Sequence, residues 1–172
     1  MLANPLRRLI HKPEVILSPF IREGMRVLEI GPGMGFFTIP MACMAGPGGK
    51  IVSVDVQERM LSSLKKRAAK RGLSERIETR LGDGMSLPVK DLEGSIDFAL
   101  LFAVVHEVPD VPALFREVYG TLKSGGKMLF SEPSGHVGKS AFSRNVEAAT
   151  KAGFRITGFP DIRGGHSVLM QK

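Results

Sequence analysis

A single cysteine, Cys43, occurs in the 172 residues, so no internal disulfide and no thiol cluster for zinc can form. One lone thiol suits a reducing cytoplasm. No apolar run approaches the length of a membrane span. The opening residues carry Arg7 and Arg8 without a long apolar stretch behind them, and Pro13 and Pro19 interrupt them, so they do not read as a secretory signal. Low-complexity tracts, internal repeats and domain-separating linkers are also missing, and the length fits one domain, 1–172. Acidic residues are the minority, 17 against 24 Lys and Arg, for a net charge of +7. A basic balance suits an anionic partner such as RNA, DNA or an acidic membrane. The densest basic run, Lys65 to Arg71, falls at the end of a predicted helix, where cations face the negative end of the helix dipole. A solvated helix end is therefore its plainer reading.

What is present is an alternation of strand-like and helix-like runs. Strands are predicted at 26–30, 51–55, 76–81, 95–101, 127–131, 154–159 and 167–171. Helices are predicted at 13–21, 36–45, 58–71, 111–122 and 140–152, several stopped by glycines. Strands that alternate with helices argue for a parallel sheet covered on both faces. The last two strands have only a glycine turn around Gly164 and Gly165 between them. They must pair antiparallel, because no helical crossover joins them.

The most informative stretch is Val27-Leu28-Glu29-Ile30-Gly31-Pro32-Gly33-Met34-Gly35-Phe36, which leaves a strand, turns on glycines and enters a helix. Glycine lets backbone approach a ligand closely. A dinucleotide fold wants glycine or alanine three residues after its second glycine, and Phe36 stands there. The Gly-Lys-Ser or Gly-Lys-Thr ending of a phosphate loop is absent. Asp55 ends the second strand, 22 residues after Gly33. A carboxylate there can accept both ribose hydroxyls or cap the next helix, and the two uses are compatible. Asp83, in Leu81-Gly82-Asp83-Gly84, is either a ligand contact or a turn residue.

In this order, Glu29 with Gly31, Gly33 and Gly35, then Asp55, then Asp83, then His106-Glu107-Val108-Pro109-Asp110 and Leu122-Lys123-Ser124-Gly125-Gly126, the chain resembles class I methyltransferases over about residues 26–132. Its nearest likeness is the small branch containing quinone-biosynthesis and arsenite methyltransferases. The resemblance implies an α/β, Rossmann-like methyltransferase fold: a mostly parallel seven-stranded sheet with an antiparallel last strand and helices on both faces. It implies S-adenosyl-L-methionine as cofactor, held by Glu29, Gly31, Gly33, Gly35, Asp55, Val56, Asp83, Gly84 and Phe102. Residues 1–24 become a helical segment whose Phe20 and Ile21 cover the cofactor.

Methyl transfer from a sulfonium needs alignment above all, and a base only where the acceptor must lose a proton. His106 and His136 are the candidates for catalysis, with Glu107 and Glu132 beside them. His106 could equally line the adjacent helix start, and Glu132 could fix a turn before Pro133. Cys43 reads as a buried structural thiol. One cysteine speaks against arsenite as acceptor, and the missing Asn/Asp-Pro-Pro-aromatic motif speaks against a nucleobase amine. The expected enzyme is cytoplasmic and methylates a small molecule. RNA or protein methylation and a non-catalytic cofactor-binding module are the alternatives. With few residues spare for a lid, the acceptor site is expected to be open and shallow, or completed by a second copy in a homodimer.

Overall fold

In the computed structural model, which describes residues 11–172, seven strands form one sheet in the order β3-β2-β1-β4-β5-β7-β6. Along the chain these are α1 (Pro13–Leu17), β1 (Arg26–Ile30), α2 (Thr38–Met44), β2 (Lys50–Asp55), α3 (Glu58–Ala69), β3 (Ile77–Leu81), β4 (Ile96–Phe102), α4 (Val111–Thr121), β5 (Leu122–Pro133), α5 (Lys139–Lys151), β6 (Arg155–Gly158) and β7 (Gly165–Gln171). β1 to β5 pair in parallel, and β7 inserts antiparallel between β5 and β6. The predicted sheet with its antiparallel closing strand is the observed one.

Successive side chains of a strand face opposite sides, so the apolar runs fill two cores. Leu28, Ile30, Val52, Val54, Ala99, Leu101 and Phe130 pack with α4 and α5 on one face. Val27, Ile51, Phe98, Leu100 and Leu129 pack with α1, α2 and α3 on the other. Strands buried on both sides need nearly continuous apolar sequence, which β1, β2 and β4 have.

Three expectations are corrected. Helix α1 ends at Leu17, and Phe20 and Ile21 go to the floor of the molecule instead of covering the site. Phe20 stacks on Phe98 at 5.6 Å, near the start of β4, and Ile21 is buried in the same core. The earlier part of the expected cover, residues 1–10, lies outside the described residues. The stretch 122–126, read as the end of a helix and its glycine stop, is instead the bulged beginning of β5. There Ile96 pairs with Leu122 and the register then shifts to Phe98 with Lys127. Gly126 is needed because a Cβ would sit 2.9 Å from the Lys123 carbonyl oxygen.

Cys43 is exposed, because α2 turns Thr38, Ile39, Met41 and Ala42 inward. A thiol reagent should therefore titrate Cys43 in the native protein. Cys43→Ser should move the melting temperature by less than about 2 °C, since surface substitutions change stability by roughly 0.5 kcal/mol or less. No helix among the described residues is long and apolar enough to cross a membrane.

Candidate active site

The carboxyl ends of β1 to β4 open onto a cavity of about 400 Å³, within the ~300–1,000 Å³ usual for small-molecule sites. Ligands of open α/β sheets bind at this edge. Of the residues expected at the cofactor, Gly31, Gly33, Asp55, Val56, Asp83 and Gly84 line it together.

The glycine loop is built tightly. Gly31, Gly33 and Gly35 all have positive φ, the left-handed region that side chains resist. Their neighbours differ. A Cβ on Gly31 would lie 2.6 Å from Cγ2 of Val104 on the cavity wall, whereas one on Gly35 would lie 2.5 Å from Cδ1 of Leu64 on α3. Gly35 thus serves helix packing, and the cavity wall does not reach it. Arg67, from the basic run of α3, donates to the Met34 carbonyl at 2.8 Å and ties the loop down.

Glu29 is buried in the sheet and turned away from the cavity. Its Oε2 accepts from Thr38 Oγ1 at 2.5 Å and Ser53 Oγ at 3.0 Å, joining β1 to α2 and β2. Phe102 also stands outside the lining and packs on Phe37 and His11.

Asp55 makes two backbone contacts. Its Oδ1 accepts from the Gln57 amide at 2.9 Å, and its Oδ2 from the Gly33 amide at 3.3 Å. The carboxylate therefore links the glycine loop to the start of α3. Asp83 is doubly bound by Oδ1 alone, from the Met85 amide at 2.8 Å and the Ser86 amide at 2.9 Å. These donors hold its carboxyl below the usual aspartate range, the Ser86 contact most, then Met85. The turn expected at Gly82-Asp83-Gly84 is present, and Oδ2 makes no part of it. Arg80 clamps the same loop, gripping both carboxylate oxygens of Asp91 at 2.6 and 2.7 Å and the Pro88 carbonyl at 2.6 Å.

His106 and His136 do not line the cavity. They stand beside it with parallel rings 6.3 Å apart. His106 follows the buried Val105 and precedes Glu107, which does face the cavity. Its Nδ1 lies 2.5 Å from Oε2 of Glu132, whose Oε1 accepts from the Val105 amide at 2.7 Å.

Sequence reasoning missed the opposite wall. Ala103 and Val104 after β4 and Leu114 and Glu117 of α4 complete the cavity. Glu117 accepts the Leu87 amide at 2.9 Å and so holds the loop after β3 against α4. The helical spacing of Leu114 and Glu117 puts them on one face, but only packing shows which face meets the site. Ala103 takes φ +57, uncommon for a residue with a side chain, and turns the chain out of β4 into the wall.

The lining contains five carboxylates, Asp55, Asp83, Glu107, Asp110 and Glu117, and no Lys, Arg or His among the described residues. In a chain of net charge +7 this is a local inversion of sign.

A family model described as a methyltransferase domain matches residues 21–157. A demethylmenaquinone methyltransferase of Symbiobacterium thermophilum is 30% identical over 121 residues, covering 70% of this chain and 47% of the relative. An arsenite methyltransferase of Halobacterium salinarum is 33% identical over 109 residues, covering 63% of this chain and 27% of the relative. The chain thus spans half the length or less of these curated relatives. A crystal structure of a SAM-dependent methyltransferase from Aquifex aeolicus shares the fold, with a TM-score of 0.86 at 23% identity over 98% of this chain and 93% of that one.

Proposed function

Because this chain belongs to the methyltransferase domain family, we propose that it methylates a small-molecule acceptor with S-adenosylmethionine as the methyl donor. The observation that carries this reading is the anionic cavity. The donor brings a sulfonium and an ammonium group, which five carboxylates attract. A dinucleotide would bring a pyrophosphate into the same field, and no Lys, Arg or His among the described residues lines the cavity to meet it.

The residues present fit the donor. Gly31 and Gly33 leave backbone bare at the loop. Asp55 would accept the ribose hydroxyls with lone pairs left over from its two amide contacts. Oδ2 of Asp83 would take the adenine amino group, the Gly84 amide a ring nitrogen, and Val56 and Val104 the faces of the rings. Glu29, Gly35 and Phe102 would act from behind, by fixing the loop and the end of β4. When bound, the donor supplies a methyl carbon activated by a neutral leaving group. The chain supplies orientation and, from His106 or His136, a proton acceptor.

The apolar lips Val56 and Met85 are 59% and 80% exposed, so the mouth is open on that side. It is closed in use by the acceptor itself or by a second copy of the chain, which sedimentation with and without cofactor would distinguish. The free, exposed Cys43 agrees with a reducing cytoplasm. Exposed cations such as Lys65 and Lys66 on α3, with Lys70 just after it, keep RNA as a second acceptor reading.

Calorimetry should show S-adenosylmethionine binding and NAD not binding. A tritiated-methyl screen over phenols, thiols, amines and RNA should then label a small molecule. Tight NAD binding would overturn the cofactor reading. Labelled RNA, with binding that falls steeply in salt, would move the acceptor to nucleic acid. Donor binding without any transfer would make the chain a cofactor-sensing module.

A further inference from the structure

We propose that His106 and Glu132 form an imidazole–carboxylate dyad that serves a flat acceptor bearing a phenolic or enolic hydroxyl, an inference that rests on the donor reading above. Glu132, near the end of β5, is 1% exposed. A carboxylate so buried needs a donor on each oxygen. It has the Val105 amide on Oε1 at 2.7 Å and His106 Nδ1 on Oε2 at 2.5 Å. An ionised carboxylate offers only lone pairs, so Nδ1 must carry the hydrogen. The other ring nitrogen, Nε2, is then the one with a lone pair.

That nitrogen belongs to a ring whose side chain is 30% exposed, and Oε1 of Glu107 lies 3.9 Å from it. Glu107 lines the cavity, so the lone pair lies toward the cavity's rim. The parallel ring of His136, 6.3 Å away on the loop after β5, offers a second flat surface. Two parallel imidazole planes suit a planar aromatic acceptor. His166, opposite Glu132 on β7, packs on Phe142 and takes no part in the pair.

In the step served, the acceptor oxygen forms its bond to the methyl carbon as the carbon–sulfur bond breaks. The hydroxyl proton goes to Nε2 of His106, and the donor departs as a neutral thioether. The imidazolium so formed is balanced by Glu132, which keeps its own charge. His106 is the group that would touch the acceptor, and Glu132 is a positioning residue.

Long-range proton–nitrogen NMR of the labelled protein, without ligand, reads the tautomer. His106 should carry its hydrogen on Nδ1. In Glu132→Gln the amide oxygen can keep the Val105 contact while its NH2 faces Nδ1, so the hydrogen should move to Nε2. A hydrogen on Nε2 in the wild-type protein would overturn the dyad, whether or not the variant folds.

The second measurement titrates 4-nitrophenol into the complex with S-adenosylhomocysteine, below the phenol's own pKa. The phenolate absorbance should rise saturably in the wild type and stay flat in His106→Asn and Glu132→Gln. No rise in the wild type, or an equal rise in His106→Asn, would remove the phenol class. Failure of S-adenosylhomocysteine to bind would strike the donor reading instead, and the ligand-free tautomer would still decide the dyad.

Discussion

Asp55→Ala should lower the affinity for S-adenosylmethionine by about 30- to 1,000-fold while the protein stays folded. On the proposed reading the carboxylate accepts two ribose hydroxyls, and hydrogen bonds to a charged group contribute ~1.5–3 kcal/mol each. The sum must be discounted, because Asp55 is only half-buried and the two contacts are not additive. About 2–4 kcal/mol then remains, which converts to that range. Alanine also frees the Gly33 and Gln57 amides, so the glycine loop loses its tie to α3. Asp55→Asn separates the two effects, since it keeps one oxygen for the Gln57 amide. Calorimetry on both variants, with a thermal melt as the control for folding, measures the difference. An Asp55→Ala affinity within threefold of the wild type would contradict the ribose assignment.

Gly31→Ala should be strongly damaging, lowering the melting temperature by roughly 5–15 °C. An L-residue in the left-handed region costs ~1–2 kcal/mol. Here φ is +71°, and the added carbon would stand 2.6 Å from Cγ2 and 2.9 Å from Cβ of Val104. Overpacking of this kind costs a further ~1–3 kcal/mol, and each kcal/mol shifts a domain of this size by ~2–4 °C. Gly84→Ala is the comparison. Its φ is +82°, but its nearest neighbour is Val56 Cγ1 at 3.9 Å, so only the backbone term applies. Val104→Ala in the Gly31→Ala background should recover part of the loss by making room. If the two glycine variants melted together, the contact with Val104 would carry no weight.

The parts of this molecule that were legible in the sequence share a cause: each is local. The alternation of apolar strands with amphipathic helices sets the sheet, and the short turn before β7 forces its antiparallel pairing. The glycine loop, Asp55 and Asp83 were found because a strand end, a turn and a helix start lie within a few residues of one another. What stayed hidden depends on which distant element packs where. Glu29 has the spacing of a ligand residue, yet its carboxylate is consumed by Thr38 and Ser53, a fact of tertiary packing. The wall of Leu114 and Glu117 comes from α4, whose inward face no spacing rule relates to the glycine loop. Gly125 and Gly126 punctuate either a helix end or a bulge, and only the pairing of Ile96 with Leu122 chooses. Phe20 looked like a lid because it precedes β1, but Phe98 on the sheet's underside captured it.

The sign inversion inside the cavity bears on turnover. Spent cofactor, having surrendered its sulfonium, carries one positive charge fewer than the fresh molecule, while the carboxylate wall is unchanged. On the donor reading, the pocket therefore grips the by-product less firmly than the reagent, and the difference shrinks as ionic strength rises. Relief from product inhibition would then be a property of the walls themselves, and it would need no moving part to expel what has been used.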